Sequence, residues 1–153
     1  MEAKKLLVRY IGAIDRAIFE KPAEVIIWDF EECFLGKIPY ELPQLQYDAN
    51  EDCYLIFDVI AIDGTSELDR LIAEIAFQKG WTKQKVLLAL AGHEVRHRVQ
   101  KWLLRRQDYG DPELDAHEIK FYIQRSWSSS TSISQVTKIV RQGPRTLDRS
   151  GVT

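Results

Sequence analysis

Residues 53–62 form a nearly unbroken apolar run: Cys53, Tyr54, Leu55, Ile56, Phe57, Val59, Ile60 and Ile62. Many of these side chains are β-branched or aromatic, which makes this the strongest strand signal in the chain. Asp63-Gly64 marks a turn after it. A second strand is expected over residues 24–34 (Val25, Ile26, Ile27, Trp28, Phe30), broken by Gly36 and Pro39. Residues 40–50 are mixed in character and suit a loop or a short edge strand.

Helices surround this sheet. Leu6, Leu7, Tyr10, Ile11, Ile14 and Ile18 recur at helical spacing over residues 3–19, and Lys21-Pro22 stops that helix. Thr65 or Ser66 can cap a helix that runs to about Gln78 and ends at Gly80. Its apolar positions Leu68, Leu71, Ile72, Ile75 and Ala76 lie on one face. Thr82 then caps a long helix from Lys83 to about Gln107. Asp111-Pro112 restarts a helix that runs to about Arg125, with aspartate as cap and proline in the first turn. Together these elements predict an α+β fold: a small mixed β-sheet followed by a helical half.

The chain of 153 residues has the length and apolar content of one ordinary domain. The boundary is expected near Trp127, giving a domain over residues 1–127. Residues 128–153 read as a Ser-rich linker and a flexible basic tail. Within that tail, residues 133–142 can form a short amphipathic helix with Ile133, Val136 and Val140 inside, and the last ten residues read as disordered.

No signal peptide is legible at the N-terminus, and no apolar run is long enough to span a bilayer, so a cytoplasmic protein is expected. Cys33 and Cys53 read as two buried thiols in a reducing compartment, since neither stands at metal-ligand spacing from another ligand. The net charge of -2 argues against bulk attraction to polyanions.

The chemistry concentrates in the long helix. The chain holds three histidines, His93, His97 and His117. His93 and His97 are four apart and share a helix face, so both imidazoles can reach one cation. Glu94 projects to the side, where it can hold a water rather than bind the ion. Leu88, Ala91, Val95, Val99, Trp102 and Leu103 form an apolar stripe for the core, which turns the histidines toward a cleft. Gly92 removes a side chain where a strand or ligand could approach. Chance placement of these histidines and glutamates would give His-Glu-x-x-His in roughly one such chain in two hundred.

A tetrahedral zinc site needs a third protein ligand and an open fourth position. The following helix offers Glu113 and His117, again four apart, and either can bind. Asp115 and Glu118 are expected to be solvated or to hydrogen-bond the ligands.

With these residues in view, His93-Glu94-Val95-Arg96-His97 followed by Glu113-x-x-Ala116 resembles the gluzincin group of zinc peptidases, including its small single-domain members. The resemblance covers roughly residues 86–125. It implies that Glu113 is the third zinc ligand and that Glu94 is the catalytic base, taking a proton from the attacking water and passing it to the leaving amine. His117 stands where the group commonly has an aspartate that orients a ligand histidine. If Glu113 binds, His117 is expected beside the ligands or at a developing oxyanion. The resemblance also implies that the strand at 53–62 offers an edge to an extended peptide. The expected cofactor is Zn2+, and the expected partner is a peptide or protein substrate.

Other readings compete. A zinc-binding regulatory or interaction module would keep the ligands without hydrolysis, although the intact Glu94 favours an enzyme. Arg96, Arg98, Lys101, Arg105 and Arg106 give the helix a basic side, as a nucleic-acid-associated factor would have. A solvated helix surface is the expected state of these cations, and neither nucleic acid nor a membrane is an expected partner. Trp28, Trp81, Trp102 and Trp127 are expected to pack in or around the core. Tyr109, between the two ligand-bearing helices, is expected to be structural, with a hydrogen bond to substrate as the alternative.

Overall fold

The computed structural model describes residues 2–31 and 45–143. Its elements are α1 (Ala3–Ile18), β1 (Val25–Glu31), β2 (Leu45–Asp48), β3 (Cys53–Ile60), α2 (Glu67–Lys79), α3 (Lys83–Trp102), α4 (Arg106–Tyr109), α5 (Pro112–Arg125) and α6 (Ile133–Gln142). This is the α+β arrangement expected: a small mixed sheet and then helices. No helix among the described residues is long and apolar enough to cross a membrane.

The three strands lie in the order β1-β3-β2. β1 runs parallel to β3 with Val25 opposite Tyr54. β2 runs antiparallel to β3 with Tyr47 opposite Tyr54. Over Tyr54–Ile56 the strand is therefore central, with β1 on one side and β2 on the other, and that stretch offers no edge for peptide pairing. Tyr54 and Ile56, on one face of β3, are fully buried, and on the other face Cys53 and Phe57 are buried while Leu55 and Val59 are half-buried. The edge beside the helices belongs to β2. The tight β2–β3 turn places Asp52 at φ 52, in the left-handed region.

Helix α3 is the axis of the helical half and packs against α1, α2, α5, α6 and β2. Thr82 caps it by accepting the Lys85 N–H, as Ser66 caps α2 by accepting the Asp69 N–H. Leu88, Ala91, Val95 and Val99 are buried, but Trp102 and Leu103 are about half exposed, so the apolar stripe ends one turn earlier than expected. The helix also stops at Trp102 rather than near Gln107. Leu104 turns back onto the core, and the short helix α4 follows. Gly92 faces helices rather than a strand or ligand. A Cβ there would come within 2.5 Å of Ile123 Cδ1 on α5 and 3.2 Å of Val140 Cγ2 on α6. Its missing side chain lets α5 and α6 close on α3.

Helix α6 is no part of a flexible tail. Ser132 caps it in a capping box with Gln135. Val136, Ile139 and Val140 are buried in the same core as α1 and α3. The packed domain therefore extends past residue 127 to at least Gly143. Cys53 is a buried free thiol. Cys33 and the tail beyond Gly143 lie outside the described residues.

The basic residues divide: Lys101, Arg105 and Arg106 are exposed, as expected of a solvated surface. Arg96 and Arg98 are buried. Arg98 pairs with Asp15 and Asp52, and Arg96 pairs with Asp115. Lys101 donates to the Ala49 carbonyl. The tryptophans divide: Trp81 and Trp127 pack against the core, whereas Trp28 and Trp102 are more than half exposed.

Candidate metal centre

Two helices build the site. On α3, the four-residue spacing places the rings of His93 and His97 with centroids 5.0 Å apart. On α5, Asp111 Oδ1 accepts the N–H groups of Glu113 and Leu114, which starts the helix there and sets Glu113 in its first turn. A carboxylate in that position is favoured by the helix dipole.

Glu113 reaches across to both rings. Its Oε1 lies 3.3 Å from His97 Nε2 and its Oε2 lies 3.9 Å from His93 Nε2. One potential ligand atom from each of His93, His97 and Glu113 lies within 4.8 Å of the others, so this group could hold a metal ion. His117, the alternative third ligand, packs its ring 5.1 Å from that of His93 and is not in that group. Burial pulls the His117 imidazole below its ordinary pKa, and the charge of Lys120 adds to this.

The donor chemistry fits a divalent cation. His93 Nδ1 lies 3.1 Å from Glu94 Oε2, and His97 Nδ1 lies 2.9 Å from Gln100 Oε1. Both partners are acceptors, which favours a proton on each Nδ1 and leaves each Nε2 facing the space between the rings and Glu113. His93 Nε2 is buried without a hydrogen-bond partner, a condition it shares among the described residues only with Thr137 Oγ1. A buried acceptor left alone is costly, and a cation would satisfy it.

Glu94 is buried beside His93. Its Oε1 accepts the backbone N–H of Tyr47 on β2 at 3.3 Å. That contact joins the helix to the sheet edge. Tyr54 donates its N–H toward β1, to the Glu24 carbonyl. By the alternation of a central strand, its neighbours Cys53 and Leu55 pair with β2, and the backbone groups of Leu45 and Tyr47 face outward. These residues, with Leu68, Ile72 and Ile75 of the α2 segment, line a cleft of about 940 Å³ whose floor carries His93, Glu94 and His97. Tyr109 and His117 stand on its wall.

Two contributors, Gln100 and Tyr47, were not assigned to the site from sequence alone. Gln100 bonds His97 from the same helix face, and its three-residue spacing was the available signal. Asp115, expected to be solvated or to hydrogen-bond the ligands, is buried and accepts from Arg96 and from Gln100, the partner of His97. Tyr47 contributes through its backbone, which no side-chain pattern marks. No family model matches this chain, and no match was found among curated proteins or solved structures.

Proposed function

We propose that the protein is a zinc-dependent peptidase in which His93, His97 and Glu113 hold the ion and Glu94 is the general base. The observation that carries this reading is the convergence of His93 Nε2, buried and unpartnered, with His97 and Glu113 on the floor of an open cleft. When bound there, zinc would supply Lewis-acid polarisation of a carbonyl and acidify a water. Glu94 would take the proton of that water and deliver it to the departing amine. Both of its oxygens have partners, but a carboxylate offers about four lone-pair positions, so acceptor capacity remains. An extended peptide would pair with the outward backbone groups of Leu45 and the carbonyl of Tyr47 on β2, in place of the edge first expected on β3.

The test joins metal analysis to a single substitution. Purified protein is expected to carry about one zinc per chain, with anomalous diffraction placing it between α3 and α5. Glu94→Gln is expected to keep the zinc and to lose cleavage of a quenched-fluorescent peptide library. Absence of bound zinc, or cleavage by E94Q at the wild-type rate, would overturn the reading.

One observation favours a second reading, a zinc-binding module without hydrolysis. Glu94 already has structural work, since it holds the Tyr47 N–H and His93 Nδ1. Its presence alone therefore does not demand catalysis. Zinc bound by a wild-type protein that cleaves nothing in the library would select this alternative.

A further inference from the structure

We infer that Gln100, locked in place by Asp115, is the positioning residue of the metal centre, fixing His97 with its Nδ1 protonated and its Nε2 turned toward Glu113. The inference rests on the metal-centre reading above and adds residues to it.

The argument turns on which way an amide can face. A glutamine side chain donates only from nitrogen and accepts only at oxygen. Gln100 Nε2 lies 2.8 Å from Asp115 Oδ2 and 2.8 Å from the Pro112 carbonyl oxygen. Both of these are acceptors. Reversing the amide would set its oxygen against two other oxygens, so the nitrogen must stay on that side. Oε1 is then committed to His97 Nδ1, 2.9 Å away, and that nitrogen must carry the proton.

Asp115 is itself fixed. Arg96 donates to its two oxygens, from Nε at 2.7 Å and Nη2 at 3.2 Å. Arg96 Nη1 also donates to the Val140 carbonyl in the last turn of α6, at 2.8 Å. Arg96, Gln100 and Asp115 are all buried, so water does not compete strongly for these bonds. A directional series of hydrogen bonds thus runs from the end of α6 to a ligand histidine. Each step admits one donor and one acceptor, and the last step selects the tautomer. Hydrogen bonding at the nitrogen opposite the metal also raises ligand basicity and holds the ring plane.

The tautomer can be read without metal. Long-range proton–nitrogen correlation spectra of the full, metal-free chain, with labelled histidine, are expected to show His97 protonated on Nδ1. An Nδ1 without a proton would overturn the inference. In Gln100→Leu, zinc or cobalt affinity is expected to fall roughly 10- to 100-fold, while circular dichroism shows a folded protein. Wild-type affinity in a folded Q100L would also overturn it. If Q100L does not fold, the wild-type tautomer decides. Failure of the wild type to bind either metal would instead sink the proposed function, and the claim on affinity with it, leaving the amide lock to be judged on the spectra.

Discussion

Arg98 Nη1 lies 2.9 and 3.0 Å from the two carboxylate oxygens of Asp15, joining α3 to α1 across 83 residues of sequence. Both side chains are buried, and Asp15 also accepts the Tyr54 hydroxyl at 2.7 Å and the Ala23 N–H at 3.0 Å. Asp15→Ala would leave Arg98 Nη1, the Tyr54 hydroxyl and the Ala23 amide without their acceptor at once, while Asp52 stays on the other edge of the guanidinium. Urea unfolding is expected to show a loss of about 3–5 kcal/mol. A loss under about 1 kcal/mol would mean that these donors find other partners.

The other acid on Arg98 sets an acid limit. Burial raises the Asp52 pKa, but hydrogen bonds from Arg98, Tyr47 and Trp102 outweigh it and leave the carboxyl below its ordinary value. A group depressed in the folded state stabilises above its unfolded pKa of about 3.9 and loses that contribution as pH falls through the folded value. Asp52→Asn keeps a residue that tolerates φ 52 and removes the charge. The gap in urea midpoint between wild type and D52N is expected to be widest near neutrality and to narrow below about pH 4. A gap constant with pH would show that the ionisation of Asp52 carries none of it.

The third ligand can be assigned by comparing two alanine variants. Glu113→Ala should weaken zinc binding by roughly two orders of magnitude or more, since it removes one protein ligand of three. His117→Ala should stay within about tenfold of wild type, as expected of a residue near the ligands but outside the set. Competition titration against a chelator reads both. The reverse ranking would move the ligand role to His117.

Close packing at Gly92 makes a further prediction. Alanine improves helix propensity by about 1 kcal/mol, but crowding in a packed core costs about 1–3 kcal/mol. The new Cβ would press on Ile123 Cδ1. Gly92→Ala is expected to be net destabilising by about 1 kcal/mol. Combined with Ile123→Val, which removes that methyl, its cost should shrink. A double-mutant cycle by urea denaturation measures the coupling, and strict additivity would show that Ile123 moves aside freely.

Much of this was legible before any coordinates. The caps Thr82 and Asp111, and Ser66 as one of two candidates with Thr65, were visible because capping is local chemistry, and the helix carrying His93 and His97 followed from its periodicity. The pairing of Glu113 with those rings required only a turn at Gly110. Strand order was not legible. An apolar run reports that β3 is buried, not which neighbours bury it. The burial of Arg96 and Arg98 was hidden for a related reason: their partners Asp115, Asp15 and Asp52 are 19, 83 and 46 residues away. Trp102 was read as core from its spacing, but its indole N–H reaches Asp52 at the edge of the sheet. Residues 133–142 showed an amphipathic face, yet nothing local said that α3 would receive it.

Helix α6 changes where this molecule can be shortened. A stop placed after Trp127 would not trim a loose end. It would uncover the apolar hollow at Gly92 and deprive the Arg96 guanidinium of a carbonyl it holds today. The Ser-rich stretch thus connects two parts of one packed core, and any metal affinity measured on the shorter polypeptide would describe a different molecule.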